Sequence, residues 1–358
     1  RAVNIPVITV GRYTEPQFAE LMVKEGRADL VAFGRQSLAD PAMPKKAQEE
    51  RLEDMTPCIA CLQGCVANMY AGNPICCLTN PFLGHEAEPI AKTENPKKVM
   101  VIGGGVAGLC AAFIAKEKGH EVTLYEAGDV LGGNMRLAAY PPGKGDITNM
   151  IRSYIHRCQK DGVKIVMSCE VTPELIKEEK PDSVIIATGS KTLILPIEGI
   201  DNPAIIHGSD LLDGKRAAGK KVLVVGGGMV GCETAAFLGE QEHDVTVIEF
   251  RDTVGADVIH EHRVYLMKDF EDYGIKEITG AKVCKFYEDG VEYETADGVR
   301  HESRGYDSVI LSMGFRNYNP LEEKIKDLVP ETHVIGDAIR ARRALDATKE
   351  AYAVASKL

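Results

Sequence analysis

The strongest constraint on the fold of this chain is a segment that occurs twice. Residues 97–127, KKVMVIGGGVAGLCAAFIAKEKGHEVTLYEA, and residues 220–250, KKVLVVGGGMVGCETAAFLGEQEHDVTVIEF, align without a gap at an offset of 123 (220 − 97). In each copy a short apolar run precedes glycines at G-x-G-x-x-G spacing, and a helical stretch leads to a second apolar run that ends at an acid. The pattern predicts a buried parallel strand, a helix and a second parallel strand, twice over.

Each part of this pattern has a role in binding a dinucleotide. The first glycine permits a tight turn, the second lets the backbone approach a pyrophosphate, and the third lets the helix pack on the strand. The helix N-terminus attracts the phosphates, and the acid accepts hydrogen bonds from a ribose. These residues are Gly103, Gly105, Gly108 and Glu126 in the first copy, and Gly226, Gly228, Gly231 and Glu249 in the second. Two such sites on one chain indicate two different dinucleotides, with electrons passing between them.

Composition excludes several classes of protein. The 358 residues, 44% of them hydrophobic, are enough for two or three domains with real cores. A net charge of −11 without a basic run argues against nucleic acid as a partner, and no apolar stretch is long enough for a membrane span. Ten cysteines in a chain with nucleotide motifs indicate cytoplasmic thiols or metal ligands rather than disulfides. Because the first residue is Arg1 rather than Met, we expect a fragment of a longer protein.

Two apolar runs near the N-terminus, each ending in a Gly-Arg pair, flank a helix predicted from a capping pattern at Thr14 to about residue 24. Such a unit fits the edge of any α/β sheet, and it also fits the last two strands of a (β/α)₈ barrel, whose loops bind phosphate. The glycines would expose backbone N–H groups, and an arginine would supply bidentate charge. Spacing alone leaves both alternatives open. The runs are residues 5–10 and 28–33, and the pairs are Gly11-Arg12 and Gly34-Arg35.

Five cysteines gather in a glycine- and proline-containing stretch before the first repeat. Cys58, Cys61 and Cys65 have C-x2-C-x3-C spacing, and a fourth thiol follows from Cys76 or Cys77. Four thiolates on irregular backbone are typical of an iron–sulfur cluster. A Cys₄ zinc site usually shows two C-x2-C pairs with a longer gap, and purely structural thiols rarely cluster in this way. A redox metal has a function beside two dinucleotide sites, which favours the cluster.

The order of the remaining apolar runs predicts that one dinucleotide domain is inserted into the other. A run at 184–189 closes the first repeat, a similar run at 306–314 closes the second, and the run at 333–337 then returns to the first sheet. Asp337 would lie where strand ends converge on a cofactor, and could accept hydrogen bonds from it. In the loop after Glu126, Gly133 could bring backbone close to the cofactor and Arg136 could pair with a phosphate.

These motifs resemble a known family. V-I-G-G-G-V-A-G with Glu126, A-T-G at 187–189, a second G-G-G-M-V-G with Glu233 and a closing G-D are similar to the flavoprotein reductases that have two dinucleotide domains. With the cysteines and the barrel end before them, the whole chain resembles the C-terminal part of the iron–sulfur flavoenzymes of the 2,4-dienoyl-CoA reductase and 2-enoate reductase type. Trimethylamine and histamine dehydrogenases are relatives of that family.

The resemblance implies an α/β fold with two nested Rossmann-like domains in a three-layer, glutathione-reductase-like arrangement. An iron–sulfur loop and the last strands of a truncated (β/α)₈ barrel would precede them. The implied domains are the end of an FMN-binding barrel at 1–50, a [4Fe-4S] segment at 51–96, an FAD domain at 97–190 and 314–358, and an NAD(H) domain at 191–313.

The resemblance also implies cofactor contacts. For FAD they are Gly103, Gly105, Val106, Ala107, Gly108, Glu126, Ala127, Gly133, Arg136, Ala187, Thr188, Gly189, Gly336 and Asp337. For the nicotinamide dinucleotide they are Gly226, Gly228, Met229, Val230, Gly231, Glu249 and Gly314. The FMN phosphate would contact Gly11, Arg12, Gly34 and Arg35. The cluster ligands would be Cys58, Cys61, Cys65 and Cys77, since Cys77 precedes L-T-N-P as the family's ligand precedes a similar L-x-N-P.

The implied function is electron input. NADH would reduce FAD, and single electrons would pass through the cluster to FMN for reduction of an activated C=C bond in an enoate, an enoyl thioester or an enone. Most of the barrel is absent, so no catalytic acid can be named. The alternatives are an amine dehydrogenase, a stand-alone NADH-oxidising electron-transfer module and a zinc-stabilised nucleotide sensor. Glu249 favours NADH over NADPH, because a carboxylate repels a 2′-phosphate. We expect a small unsaturated substrate, a cytoplasmic location and possible oligomerisation.

Overall fold

Both copies of the repeat form the predicted strand–helix–strand unit, and their boundaries are identical after the offset of 123. The computed structural model describes residues 3–358. These residues divide into two units. The first unit runs to Met135 and continues in Asp146–Gly189 and Tyr318–Leu358, and the second consists of Arg136–Gly145 and Ser190–Asn317. The second unit is therefore inserted into the first along the chain.

The elements alternate between strands and helices over most of the chain. From the N-terminus to the end of the first repeat they are β1 (Ile8–Val10), α1 (Pro16–Lys24), β2 (Leu30–Ala32), α2 (Arg35–Ala39), α3 (Met43–Gln48), α4 (Val66–Tyr70), β3 (Lys98–Ile102), α5 (Val106–Glu117) and β4 (Glu121–Tyr125). Next come α6 (Asn134–Leu137), α7 (Asp146–Lys160), β5 (Lys164–Val166), α8 (Pro173–Glu179), β6 (Ser183–Ile186), β7 (Ser190–Thr192), β8 (Ile206–His207) and α9 (Gly208–Leu212).

The second repeat and the return to the first sheet complete the chain. The elements are β9 (Lys221–Val225), α10 (Met229–Glu240), β10 (Asp244–Ile248), α11 (His260–Asp272), β11 (Lys276–Ile278), β12 (Lys282–Tyr287), β13 (Gly290–Glu294), β14 (Arg300–Ser303), β15 (Ser308–Leu311), β16 (Phe315–Asn317), α12 (Glu322–Ile325), β17 (Glu331–Val334) and α13 (Ala344–Ala355). Among the described residues no helix combines the length and the apolar character needed to cross a membrane.

The first unit is built on a five-stranded, entirely parallel sheet in the order β17-β6-β3-β4-β5. The central strands are almost continuously apolar and are buried on both faces, as expected for a parallel sheet covered by helices. Helix α5 is buried nearly all round and packs against α13 and α7. The strand that returns late in the chain, β17, pairs with β6 and completes the sheet, as the order of apolar runs predicts.

The second unit repeats this sheet. Its strands are parallel and lie in the order β8-β15-β9-β10-β11, so that β9 and β10 occupy the places of β3 and β4. An antiparallel three-stranded sheet, β12-β13-β14, packs over it through Phe286 and Val291. A short antiparallel pair, β7 with β16, lies where the chain enters and leaves the unit. The predicted α/β fold class is confirmed.

The N-terminal segment of the first unit is a parallel pair of strands, β1 and β2, connected by α1. Both strands are shorter than predicted. The capping pattern at Thr14 is wrong, because α1 begins at Pro16 with Glu15 as its N-cap and no side chain caps it. The ring of Pro16 fixes the backbone of the first helical residue and makes a side-chain cap at Thr14 unnecessary.

Candidate functional site

The first glycine loop is shaped by backbone contacts that only glycine permits. Gly103 has a φ of +108°, and a Cβ there would overlap the carbonyl oxygen of Ala187. A Cβ at Gly108 would overlap the carbonyl oxygen of Gly103. The turn after β3 and the close packing of α5 on that strand therefore both depend on glycine, as the motif predicts.

The space in front of α5 is open. Gly105 is the N-cap of this helix, in extended backbone, and no side chain caps the helix. A Cβ at Gly105 would have no neighbour closer than the Cα of Gly133, at 4.0 Å. Since no side chain caps α5, the N–H groups of its first turn can bind a pyrophosphate. The residues present fit a dinucleotide here.

Glu126 is held in a fixed position at the end of β4. Its Oε2 accepts a hydrogen bond from the N–H of Gly104 at 2.6 Å, and its Oε1 accepts one from the N–H of Gly128 at 2.7 Å. The loop beyond it is tied back as well, because the N–H of Gly132 donates to the carbonyl oxygen of Gly104 at 2.9 Å. The carboxylate thus borders the open space in which a ribose would lie next to the pyrophosphate.

The second glycine loop reproduces the first in detail. Gly226 has a φ of +107°, and a Cβ there would overlap the carbonyl oxygen of Ser312, while a Cβ at Gly231 would overlap that of Gly226. The Oε2 of Glu249 accepts from the N–H of Gly227 at 2.6 Å, and its Oε1 accepts from the N–H of Arg251 at 2.9 Å. This unit also fits a dinucleotide.

Two acidic residues near the second loop were not predicted as site residues. The N–H of Met229, in the first turn of α10, donates to the Oδ1 of Asp257 at 2.9 Å. The Oε1 of Glu233, which is almost buried, accepts from the Nζ of Lys144 at 2.7 Å. We call each glycine loop together with its acid a cradle. The repeat itself gave a signal for Asp257, because Asp257 lies 123 residues after Asn134, which belongs to the loop next to the first cradle.

Most of the other predicted FAD contacts lie at the carboxyl ends of adjacent strands in the first unit. Ala187, Thr188 and Gly189 follow β6, and Gly336 and Asp337 follow β17. Both strands end on the same edge of the sheet as the Gly103 loop. The Oγ1 of Thr188 donates to the carbonyl oxygen of Tyr318 at 2.5 Å, and the Oδ1 of Asp337 accepts from the N–H of Arg342 at 3.0 Å.

Arg136, predicted to contact FAD, and Gly314, predicted to contact the nicotinamide dinucleotide, both lie in the second unit. The Nη2 of Arg136 donates to the Oδ1 of Asp213 at 2.5 Å, so this guanidinium is engaged in an ion pair. The pair raises the pKa of Arg136 and lowers that of Asp213, for which a second pair with Lys215 is the larger cause. Gly314 follows β15 with a φ of +102°, and its carbonyl oxygen accepts from the N–H of Leu193.

All five clustered cysteines line one cavity in the first unit. Burial raises the pKa of Cys61 to about 12, and it also raises the pKa of Cys58 and of Cys77. The residues on both sides of Cys61, Ala60 and Leu62, have left-handed backbone with φ of +52° and +58°. The chain thus wraps sharply around Cys61 and brings it to the other thiols.

Five of the side chains that line the cysteine cavity are sulfur donors, the ligand type of iron–sulfur clusters. Among residues 3–358 no three His, Cys, Asp or Glu side chains lie close enough together to hold one metal ion. The chemistry of the lining residues fits a cluster, for which four thiolates are needed.

The two Gly-Arg pairs differ in their surroundings. Arg12 has a φ of +50° and forms an ion pair with Asp146, the first residue of α7. Gly34 is the N-cap of α2, and Arg35 lines the cysteine cavity next to Cys58. Arg12 is thus paired with an acid of the same unit, and Arg35 borders the thiols.

Comparison with known proteins places the chain in a family. Residues 97–333 match the family described as pyridine nucleotide-disulphide oxidoreductase. The chain belongs to this family. Residues 1–54 of the chain match a second family, the NADH:flavin oxidoreductase / NADH oxidase family, which confirms the family resemblance of the N-terminal segment.

Individual relatives match nearly the whole chain or all of it. The NADH oxidase of Thermoanaerobacter brockii is 37% identical over 364 residues, which is 99% of this chain and 56% of the relative. The cinnamate reductase of Clostridium sporogenes is 32% identical, covering 100% of this chain and 54% of the relative. The solved structure of a 2-naphthoyl-CoA reductase complex superposes with a TM-score of 0.95 at 33% identity, over 100% of this chain and 55% of that one. The chain therefore spans about half the length of these relatives.

Proposed function

We propose that this chain is the electron-input part of an NADH-dependent iron–sulfur flavoprotein reductase. The observation that carries the proposal is the pair of matching dinucleotide cradles that follow a cavity lined by five thiols. When bound, the nicotinamide would supply a hydride, that is two electrons and a proton, and FAD would allow the two electrons to pass singly to the cluster and FMN. The names of the relatives, an NADH oxidase and reductases of unsaturated compounds, support this class of reaction.

The first unit would hold FAD and the second would hold NADH. Gly105 and the first turn of α5 would bind the FAD pyrophosphate, with Glu126 on the ribose and Asp337 on the ribityl chain. Gly228 and the first turn of α10 would bind the pyrophosphate of NADH, with Glu249 on its adenosine ribose. Cys58, Cys61, Cys65 and Cys77 would hold the [4Fe-4S] cluster. The other residues that the family resemblance assigns to FAD or to the nicotinamide dinucleotide would contact those cofactors.

In the whole protein, the electrons would reduce an activated C=C bond. The substrate class we propose is an enoate, an enoyl thioester or an enone, since the relatives named above include a cinnamate reductase and a 2-naphthoyl-CoA reductase. FMN would be bound where Gly11, Arg12, Gly34 and Arg35 face the remainder of a barrel. A cytoplasmic location is supported by the cysteines, since all ten are free thiols in the described residues.

The second candidate is an amine dehydrogenase that passes its electrons to a partner flavoprotein. Two features of this chain argue against it, the C-x2-C-x3-C spacing and the intact second cradle. The amine dehydrogenases that the chain resembles have a C-x2-C-x2-C start to the cluster and a second nucleotide site that is not used. Glu249 is held in the second cradle by the same two types of backbone bond as Glu126 in the first. A site that had lost its nucleotide would have no need of that carboxylate.

The deciding experiment is anaerobic reconstitution of the chain with iron, sulfide and FAD, followed by reduction with NADH. We expect a brown-yellow protein with one FAD and four iron atoms per chain, and NADH should bleach it and support reduction of a dye acceptor. Adding an amine in place of NADH should have no effect. A protein that binds FAD but is reduced only by an amine would support the second candidate. A colourless protein that binds zinc would overturn both.

A further inference from the structure

The short helix α2 joins two parts of the proposed site. It begins at Arg35, directly after Gly34, so it continues the candidate FMN phosphate loop. Arg35 and Leu38 line the cysteine cavity. Gln36 and Asp40, one helical turn apart, are 2% and 4% exposed. Buried polar side chains require partners. Those of Gln36, and one of those of Asp40, lie in the stretch that leads into Cys58.

The amide of Gln36 is paired on both sides with the backbone that leads into Cys58. Its Nε2 donates to the carbonyl oxygen of Thr56 at 3.0 Å, and its Oε1 accepts from the N–H of Cys58 at 2.8 Å. Only this orientation of the amide satisfies both contacts, because Thr56 offers an acceptor and Cys58 a donor. The N–H of Thr56 donates to the Oδ2 of Asp40 at 2.9 Å. Gln36 and Asp40 thus bind three backbone groups, the carbonyl oxygen and the N–H of Thr56 and the N–H of Cys58.

The other end of the cysteine segment is attached to the same helix. The Nδ2 of Asn80, three residues beyond Cys77, donates to the carbonyl oxygen of Leu38 at 2.9 Å. Both the entry to the cysteine loop and its exit are therefore fixed to a helix of five residues. The FMN phosphate loop, Cys58 and Cys77 share this one support.

We propose that Gln36 is a positioning residue for the cluster, fixing the first ligand, Cys58, to the helix that follows the FMN phosphate loop. This inference rests on the proposed function, because it requires the thiols to hold a cluster. The Oε1 of Gln36 occupies the N–H of Cys58 and so keeps that N–H from donating to a cluster sulfur. Hydrogen bonds to the sulfurs stabilise the reduced, more negative cluster and raise its potential. Gln36 therefore helps to keep the potential low while it holds the ligand in place.

The test compares Gln36→Met with Gln48→Met in the reconstituted chain. Methionine has nearly the length of glutamine but makes neither hydrogen bond, and Gln48 is an exposed residue of α3 that serves as the matched control. For Gln36→Met we expect an altered EPR spectrum of the reduced cluster, a more positive midpoint potential and roughly tenfold faster release of iron to a ferrous chelator. FAD content and far-UV circular dichroism should stay at the wild-type values.

Each outcome decides between the proposals. A Gln36→Met protein with wild-type EPR spectrum, potential and iron release would overturn the role of Gln36 while leaving the proposed function intact. A wild-type chain that takes up no iron and sulfide would instead refute the proposed function. If Gln36→Met does not fold, Gln36→Ala replaces it, because the smaller side chain admits water to pair with Thr56 and Cys58. An altered EPR spectrum and faster iron release are expected there, with a midpoint potential nearer the wild-type value because water occupies the N–H of Cys58, and a wild-type spectrum with wild-type iron release would again overturn the inference.

Discussion

At the scale of single residues, the two cradles bind their acids in the same way but differ in the residue two positions after the acid. Glu126 and Glu249 each accept two backbone N–H groups, one from the glycine loop and one from the residue two positions further along the chain. Each carboxylate is therefore oriented by the protein itself. Only Glu249 is followed by a basic residue at that second position, Arg251, whereas Gly128 follows Glu126.

Replacing Glu249 by alanine should relax the preference for NADH. A 2′-phosphate about 4 Å from a carboxylate costs on the order of 4 kcal/mol at an effective dielectric constant of 20. Even a third of this repulsion corresponds to about tenfold in affinity. We therefore expect the ratio of kcat/KM for NADPH to that for NADH to rise about tenfold in Glu249→Ala. Steady-state dye reduction measures it, and Glu240→Ala, which removes the same charge from the far end of α10, should leave the ratio unchanged. An unchanged ratio in Glu249→Ala contradicts the assignment.

Asp257 should weaken the binding of NADH, because its carboxylate occupies an N–H of the first turn of α10, where the pyrophosphate is expected. Asp257→Asn keeps an acceptor for Met229 but removes the charge. We expect the Kd for NADH to fall by roughly threefold to tenfold, since like charges near a shared site cost about 1 kcal/mol when partly solvated. Isothermal titration calorimetry measures this, with the exposed Asp297→Asn as the control. Weaker binding in Asp257→Asn would mean that the carboxylate supports the site instead.

At the scale of elements, the carboxylate of Asp54 connects the turn at Leu52–Asp54, which precedes Cys58, to α7. The carboxylate pairs with Lys160, His156 and Arg51, and these contacts, that with Lys160 above all, hold the pKa of Asp54 well below its usual range. A group whose pKa is lower in the folded state than in the unfolded state stabilises the fold at pH values above the unfolded pKa. That contribution disappears as the pH falls.

Asp54→Asn should therefore destabilise the first unit in a pH-dependent way. Near pH 7 the free energy of unfolding should fall by about 1.5 to 3 kcal/mol, the range for a hydrogen bond to a charged group. The difference from wild type should shrink once the pH falls below about 4, where the unfolded carboxyl is protonated. Urea unfolding followed by circular dichroism at several pH values measures it. Asp161→Asn, which removes a weaker ion pair on α7, is the control, and an equal loss at all pH values would exclude the electrostatic explanation.

Sequence reasoning located the elements whose boundaries are set by local chemistry. The helix predicted between the two apolar runs of the first repeat is found at Val106–Glu117, because the glycine spacing fixes where the turn ends and the helix begins. It did not find the β12-β13-β14 sheet, although its two hairpin turns carry Asp-Gly pairs at 289–290 and 297–298. Nor could it find the contact between Gln36 and Cys58, which are 22 residues apart and joined by a side chain and a backbone group. Such contacts depend on the tertiary fold and leave no periodic pattern.

At the scale of the whole molecule, the chain contains the same kind of dinucleotide-binding unit twice, and the second copy is inserted into the first along the chain. The two parallel sheets have equivalent strand orders, yet the edge strand next to β6 comes from the end of the chain, whereas the one next to β15 precedes its own repeat. The first sheet is therefore complete only after the second unit has been synthesised. Each cradle nevertheless draws its glycine loop and its acid from its own unit.

Because each cradle is contained in one unit, each cofactor should protect its own glycine loop from hydrogen exchange. A ligand present at a hundredfold excess over its Kd stabilises its binding site by about 2.7 kcal/mol, enough to slow exchange up to about a hundredfold. We expect FAD to protect the amides of residues 103–108 and NADH to protect those of 226–231, as measured by hydrogen–deuterium exchange and mass spectrometry of the FAD-loaded chain with and without NADH. In Glu249→Ala the protection by NADH should weaken while that by FAD persists. Protection of residues 103–108 by NADH in the FAD-free chain, with none at 226–231, would reverse the proposed assignment of the two units.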